Sequence, residues 1–127
     1  MTKFYWHVDP NRLVEPIMDS LEKRIKYLKY MQRKGTEILL KLMREVRGEL
    51  PELYRQAWKN YERAYEAYER AGAVFLPLET QAKVVHNLES AWEDCLLAFD
   101  SCAEEINALH KIECPDCPWD GKSIFGR

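Results

Sequence analysis

A chain of 127 residues with a formal net charge of −2, 46% hydrophobic and 31% charged, is sized for one domain with its own core, and so ordinary a composition excludes collagen-like, disordered and disulfide-scaffold classes. The opening residues hold no apolar signal-peptide core and no later apolar run approaches the length of a bilayer crossing, so the expectation is a cytoplasmic protein with no membrane partner. Charge is uneven: residues 1–50 carry 11 Lys/Arg against 7 Asp/Glu and the rest 8 against 14, which fits recognition of a polyanion or, with fewer assumptions, an early helix lying on a later one.

Asp9-Pro10 has the form of a helix start, a capping carboxylate before a proline whose missing amide hydrogen is harmless in the first turn. Beyond it Val14, Ile17, Leu21, Leu28, Met31, Ile38 and Leu42 keep a helical spacing, widened by Met18, Ile25, Leu39 and Val46 into a stripe about 100° across. The pattern predicts one long helix ending near Gly48, with Gly35 as a kink or a point of close backbone approach. Pro51 starts a second, shorter helix that sets Tyr54, Trp58, Tyr61, Tyr65 and Tyr68 along one side with Ala57, Ala64 and Ala71 seven apart beside them, and Gly72 and Leu76-Pro77 close it. A third helix is expected from Leu78 to Glu113, where Val85, Leu88, Trp92, Cys95, Phe99, Cys102, Ile106 and Leu109 alternate steps of three and four.

No alternating run bounded by turn signals stands out, so the expected class is all-α: an antiparallel bundle of three helices, two long and one shorter, over residues 1–113, followed by a short irregular CxxC tail over 114–127. Helices of roughly 57, 33 and 54 Å would leave apolar surface uncovered. Self-association into a homo-oligomer, or binding of a partner protein through the aromatic row Tyr54, Trp58, Tyr61, Tyr65 and Tyr68, is the expected remedy.

Chemistry is concentrated in Cys114-Pro115-Asp116-Cys117. Two thiolates across a proline turn can reach one tetrahedral zinc, and Cys-Pro-x-Cys is a zinc-knuckle form. His110, one helical turn before Cys114, is the candidate third ligand, with His7, Cys102 or a residue of a second subunit as the fourth. A single CxxC is half a site, however, and thiols that are free or disulfide-bonded rank ahead of zinc. Redox catalysis fits poorly, because the pair follows a helix C-terminus, where the dipole and Glu113 and Asp116 disfavour a reactive thiolate. Cys95 and Cys102 occupy stripe positions and read as core.

On a helical projection Lys23, Lys26, Tyr27, Tyr30, Arg33 and Lys34 cluster opposite Leu21, Ile25 and Leu28, a face suited to phosphates and bases but also to plain solvation or a subunit contact, which is preferred. No GxSxG, HExxH, GxGxxG or paired Glu-x-x-His occurs, and the carboxylates sit on polar helix faces with opposite charges nearby. The expectation is therefore a non-enzymatic helical interaction or assembly protein, the alternative being a small nucleic-acid-binding or regulatory protein that uses the basic face of its first helix.

Overall fold

The computed structural model describes residues 3–9, 12–18, 20–31, 36–74, 76–115 and 117–119. In chain order it contains strands β1 (Lys3–Asp9) and β2 (Arg12–Ile17), helices α1 (Leu21–Met31) and α2 (Thr36–Leu42), the two-residue strand β3 (Arg44–Glu45), and helices α3 (Glu52–Ala73), α4 (Leu78–Ser101) and α5 (Ala103–Glu113). The expected all-α bundle of three helices is thus incorrect. Among the described residues five helices accompany a three-stranded antiparallel sheet of order β2-β1-β3, and the class is mixed.

The correction falls on the predicted first helix, and its physical cause is Pro16. Inside a helix a proline removes a hydrogen bond and clashes with the preceding turn, at a cost of roughly 3 kcal/mol. In β2 it faces Phe4 of β1 from an edge strand, where a missing amide hydrogen is tolerated. Asp9 is not a helix cap but pairs with Arg12 at the closing end of the β1/β2 hairpin, and the aromatic and β-branched run Phe4-Tyr5-Trp6-His7-Val8 favours a strand over a helix. The position proposed for a kink, Gly35, lies outside the described residues. The predicted third helix is also two: Cys102, with φ −111° and ψ 11°, interrupts it and separates α4 from α5.

The chain divides into two compact units, Met1–Glu49 with Leu109–Arg127, and Leu50–Ala108. In the first, Trp6, Val8, Leu13 and Val14 are buried by the hairpin. Ser20 caps α1, its Oγ accepting the Lys23 amide at 3.1 Å. Arg24 then ties that helix to the hairpin, donating to the Val8 carbonyl at 3.1 Å and to Glu15 at 3.2 Å. Leu28 of α1 and Leu39 of α2 form a small core against which Leu42, Met43, Cys117 and Trp119 pack.

The second unit is built on the α3/α4 pair. Both helices follow a proline, Pro51 and Pro77, and the order of ring contacts, Tyr54 with Phe99 and then Trp58 and Tyr61 with Trp92, runs the helices antiparallel. Burial is graded along this hairpin. Tyr54, Ala57 and Trp58 on α3 and Ala91, Cys95 and Ala98 on α4 are buried, whereas no described residue from 61 to 90 is. The aromatic row is therefore core at Tyr54 and Trp58, half-buried at Tyr61 and Tyr65, and exposed at Tyr68. Among the described residues no helix is long and apolar enough to cross a membrane.

Candidate metal centre

His7, His110, Cys114 and Cys117 meet in the first unit, their donor atoms all within 4.8 Å of one another, and this set could hold a metal ion. They come from three local devices. His7 sits at a β-bulge: between the Trp6–Val14 and Asp9–Arg12 pairs, two residues of β1 oppose one of β2. A bulge re-aims a side chain, and here it turns Trp6, His7 and Val8, three neighbours in sequence, all into the interior. His7 accepts a left-handed backbone with φ 60°, a conformation that costs an L-residue roughly 1–2 kcal/mol and clusters at functional positions. His110 and Cys114 are four apart and so share one face at the end of α5, and the Cys114 amide donates to the His110 carbonyl at 2.7 Å. Pro115 ends the helix, and the chain turns to bring Cys117 back to His7.

The spacings suit a single cation. His7 Nε2 lies 3.0 Å from His110 Nε2, 3.0 Å from Cys117 Sγ and 3.5 Å from Cys114 Sγ. Tetrahedral bond lengths to nitrogen and sulfur place such donors about 3.3 Å (N to N) and about 3.6 Å (N to S) apart, close to the His110 and Cys114 distances and about 0.6 Å longer than the Cys117 one. One imidazole nitrogen carries a single proton or a single lone pair, so it cannot satisfy three neighbours by hydrogen bonding. A shared positive centre would resolve that conflict for all four groups at once. None of the four cysteines of the chain is in a disulfide.

Electrostatics keep both imidazoles ready to give lone pairs. Burial, then the neighbouring His110 and then Arg44, lowers the His7 pKa to about 4. His110 is lowered as well, by burial first and Arg44 second, against the opposing pull of Glu113. Both folded-state values lie below the ordinary value of 6.5, so in the window from about 4 to 6.5 the unfolded chain binds more protons than the folded one. Stability is complete above 6.5 and falls as the pH drops through that window. Thermal melts of the protein as purified, at stepped pH, should show this decline, and a flat profile would contradict the buried neutral histidines.

Glu113, next to Cys114, fixes the frame around the donors. Its carboxylate accepts from the Trp6 indole at 3.0 Å and from the backbone amides of Arg47 at 2.7 Å and Gly48 at 2.8 Å, while its carbonyl accepts from Arg44 at 3.0 Å. Burial alone would raise this carboxyl. The Arg47 amide, the Trp6 indole and the Gly48 amide together hold it below the usual range. A Cβ at Gly48 would lie 2.6 Å from Leu109 Cδ1 and 3.0 Å from Glu113 Oε2, so a larger residue there would displace the ends of both side chains. Trp6 also tilts against the His110 ring, with centroids 5.1 Å apart, and Trp119 stands 6.3 Å from the His7 ring. His7 Nδ1 and Trp119 Nε1 are buried with no partner among the described residues, so a proton on His7 Nδ1, as ligation through Nε2 demands, meets no described acceptor.

Of the sequence-derived ligands, Cys114, Cys117 and His110 come together, and His7 rather than Cys102 joins them; Cys102 lies in the other unit as the residue between α4 and α5. Glu113 was legible only as a charge beside the thiols, and nothing in the sequence marked it as the acceptor that joins three segments. Of the basic face, Lys23, Lys26, Tyr27 and Tyr30 are exposed on α1, while Arg33 and Lys34 lie outside the described residues. The row Tyr54, Trp58, Tyr61, Tyr65 and Tyr68 belongs to the second unit. No protein-family model, curated protein or solved structure matches this chain.

Proposed function

We propose that this is a non-enzymatic binding protein built on a structural zinc centre, in which His7, His110, Cys114 and Cys117 clamp the N-terminal hairpin to the end of α5 and to the turn after it. The carrying observation is the donor set: four side chains whose ligand atoms all lie within 4.8 Å of one another. Two thiolates and two imidazoles favour zinc over the oxygen-seeking cations calcium and magnesium. Four protein ligands fill a tetrahedron, whereas a hydrolytic zinc site keeps one position for water, which is why the reading is structural. Elemental analysis and native mass spectrometry of untagged protein, purified without chelator, should find one zinc per chain. Cobalt substituted for zinc should give the visible bands of a tetrahedral thiolate site. A clearly sub-stoichiometric metal content, with no uptake on adding zinc, would sink the reading.

A second reading, self-association, is favoured by the far end of the α3/α4 hairpin, where Tyr68, Val74, Leu78 and Val85 are all exposed. Two helices alone leave the outer part of each apolar stripe in water, and pairing of two such ends would cover it.

A further inference from the structure

The outer face of α1 gathers exposed lysines and tyrosines. Lys23, Lys26, Tyr27 and Tyr30 fall within about 100° of arc on it, and Lys29 is exposed at its margin. Tyr27 is 52% and Tyr30 84% exposed. The cations of this helix divide by role. Arg24 points inward and is committed to Val8 and Glu15, whereas among the described residues no ion pair involves Lys23, Lys26 or Lys29. The sole acidic residue on α1, Glu22, stands one turn before Lys26 without reaching it. The unit that carries α1 holds a surplus of four cationic residues, while the other unit has 5 Lys/Arg against 11 Asp/Glu. The basic character of the front of the chain is thus displayed on a surface.

We infer that this face, Lys23, Lys26, Tyr27, Lys29 and Tyr30 of α1, is a docking surface for single-stranded nucleic acid. Charge complementarity selects a polyanion: three exposed ammonium groups with no ion-pair partner among the described residues release counterions on meeting phosphates. The tyrosines select the strand. A phenol ring left in water is a platform on which an unpaired base stacks, and bases held inside a duplex do not offer their faces. An anionic membrane fits less well, since a surface-lying helix needs its apolar stripe free to enter lipid, and here Leu28 is buried and Ile25 half-buried inside the unit. The inference goes beyond the zinc reading and does not depend on it.

Fluorescence anisotropy of the full, metal-replete chain against a short labelled oligouridine tests it. Binding should weaken with salt between 50 and 200 mM, with a log–log slope of about −2 for three phosphate contacts on a single strand. The triple variant Lys23→Gln/Lys26→Gln/Lys29→Gln should flatten that slope and lower the low-salt affinity about tenfold. Tyr30→Ala, at a site too exposed to disturb the fold, should leave the slope in place yet weaken binding about fivefold or more through lost stacking. A duplex of the same length should bind more weakly. The inference is overturned if oligouridine fails to bind at low salt, if the lysine variant binds as tightly as the parent, if Tyr30→Ala changes nothing, or if phosphatidylserine vesicles bind and the oligonucleotide does not.

Discussion

Replacing Cys114 and Cys117 together by serine should unfold the first unit while the α3/α4 pair stays helical. The apolar core of that unit is small: Trp6, Val8, Leu13 and Val14 in the hairpin, with Leu28 and Leu39 against α1 and α2. A cross-link between His7 and His110, 103 positions apart, removes chain entropy that for a disulfide over a loop of that order amounts to about 4.7 kcal/mol. The apparent contribution of a structural zinc at neutral pH is larger, about 10–16 kcal/mol, which equals or exceeds the stability of a typical whole domain. A bound metal would also offset the left-handed backbone of His7. His7→Asn is the informative companion, because asparagine tolerates a positive φ and so keeps the bulge while removing the ligand. Both variants should lose zinc, and peptide-level hydrogen exchange should show β1 and β2 unprotected while α3 and α4 keep their protection. Unchanged exchange in β1 and β2 would refute the claim, as would simultaneous loss of protection across the chain.

The two halves of this fold differed in how plainly the sequence announced them. Helix α3 begins after Pro51 as expected and runs through Ala73, because proline starts, apolar spacing and helix propensity agree over more than twenty residues. In residues 1–48 those signals conflict. Val14, Ile17 and Leu21 satisfy a helical period, yet Pro16 lies between them and is incompatible with it. A stripe drawn only through apolar positions hides the residue that forbids the helix. Asp9-Pro10 is equally a helix cap and a turn, and the pairing of β1 with β2, which decides between them, is set by contacts that local pattern does not encode. The metal centre followed the same division. Cys114, Cys117 and His110 are near one another in the chain and were identifiable as a group, whereas His7 was one of several candidates for the fourth place. Only the hairpin, with its bulge at His7, carries that ring to the end of α5.

Trp58→Asp should abolish the cooperative melt of the α3/α4 pair, while Tyr68→Asp, ten residues further along the same aromatic row, should leave it nearly unchanged. Trp58 is buried, and its ring meets Tyr54, Tyr61 and Trp92 with centroids 6.3, 5.3 and 5.8 Å away. Removing a buried tryptophan costs about 3–5 kcal/mol in lost packing, and an unpaired carboxylate in its place adds a desolvation penalty of several kcal/mol. A pair of helices with one shared interface has no second core to absorb that loss. Tyr68 is 45% exposed, and its neighbour in the row is Tyr65 at 6.5 Å, so a charge there remains hydrated and should shift stability by no more than about 0.5 kcal/mol. Circular dichroism melts compare the two directly, and light scattering of the Tyr68 variant adds a second answer. If the exposed end of the hairpin mediates self-association, the parent protein should be larger than a monomer and Tyr68→Asp should reduce it to one, with a melting temperature that matches the parent's at dilutions where the parent is itself monomeric. A Trp58→Asp protein that melts like the parent would remove this aromatic cluster from the core, and a parent that is strictly monomeric at high concentration would dispose of the association through the hairpin end.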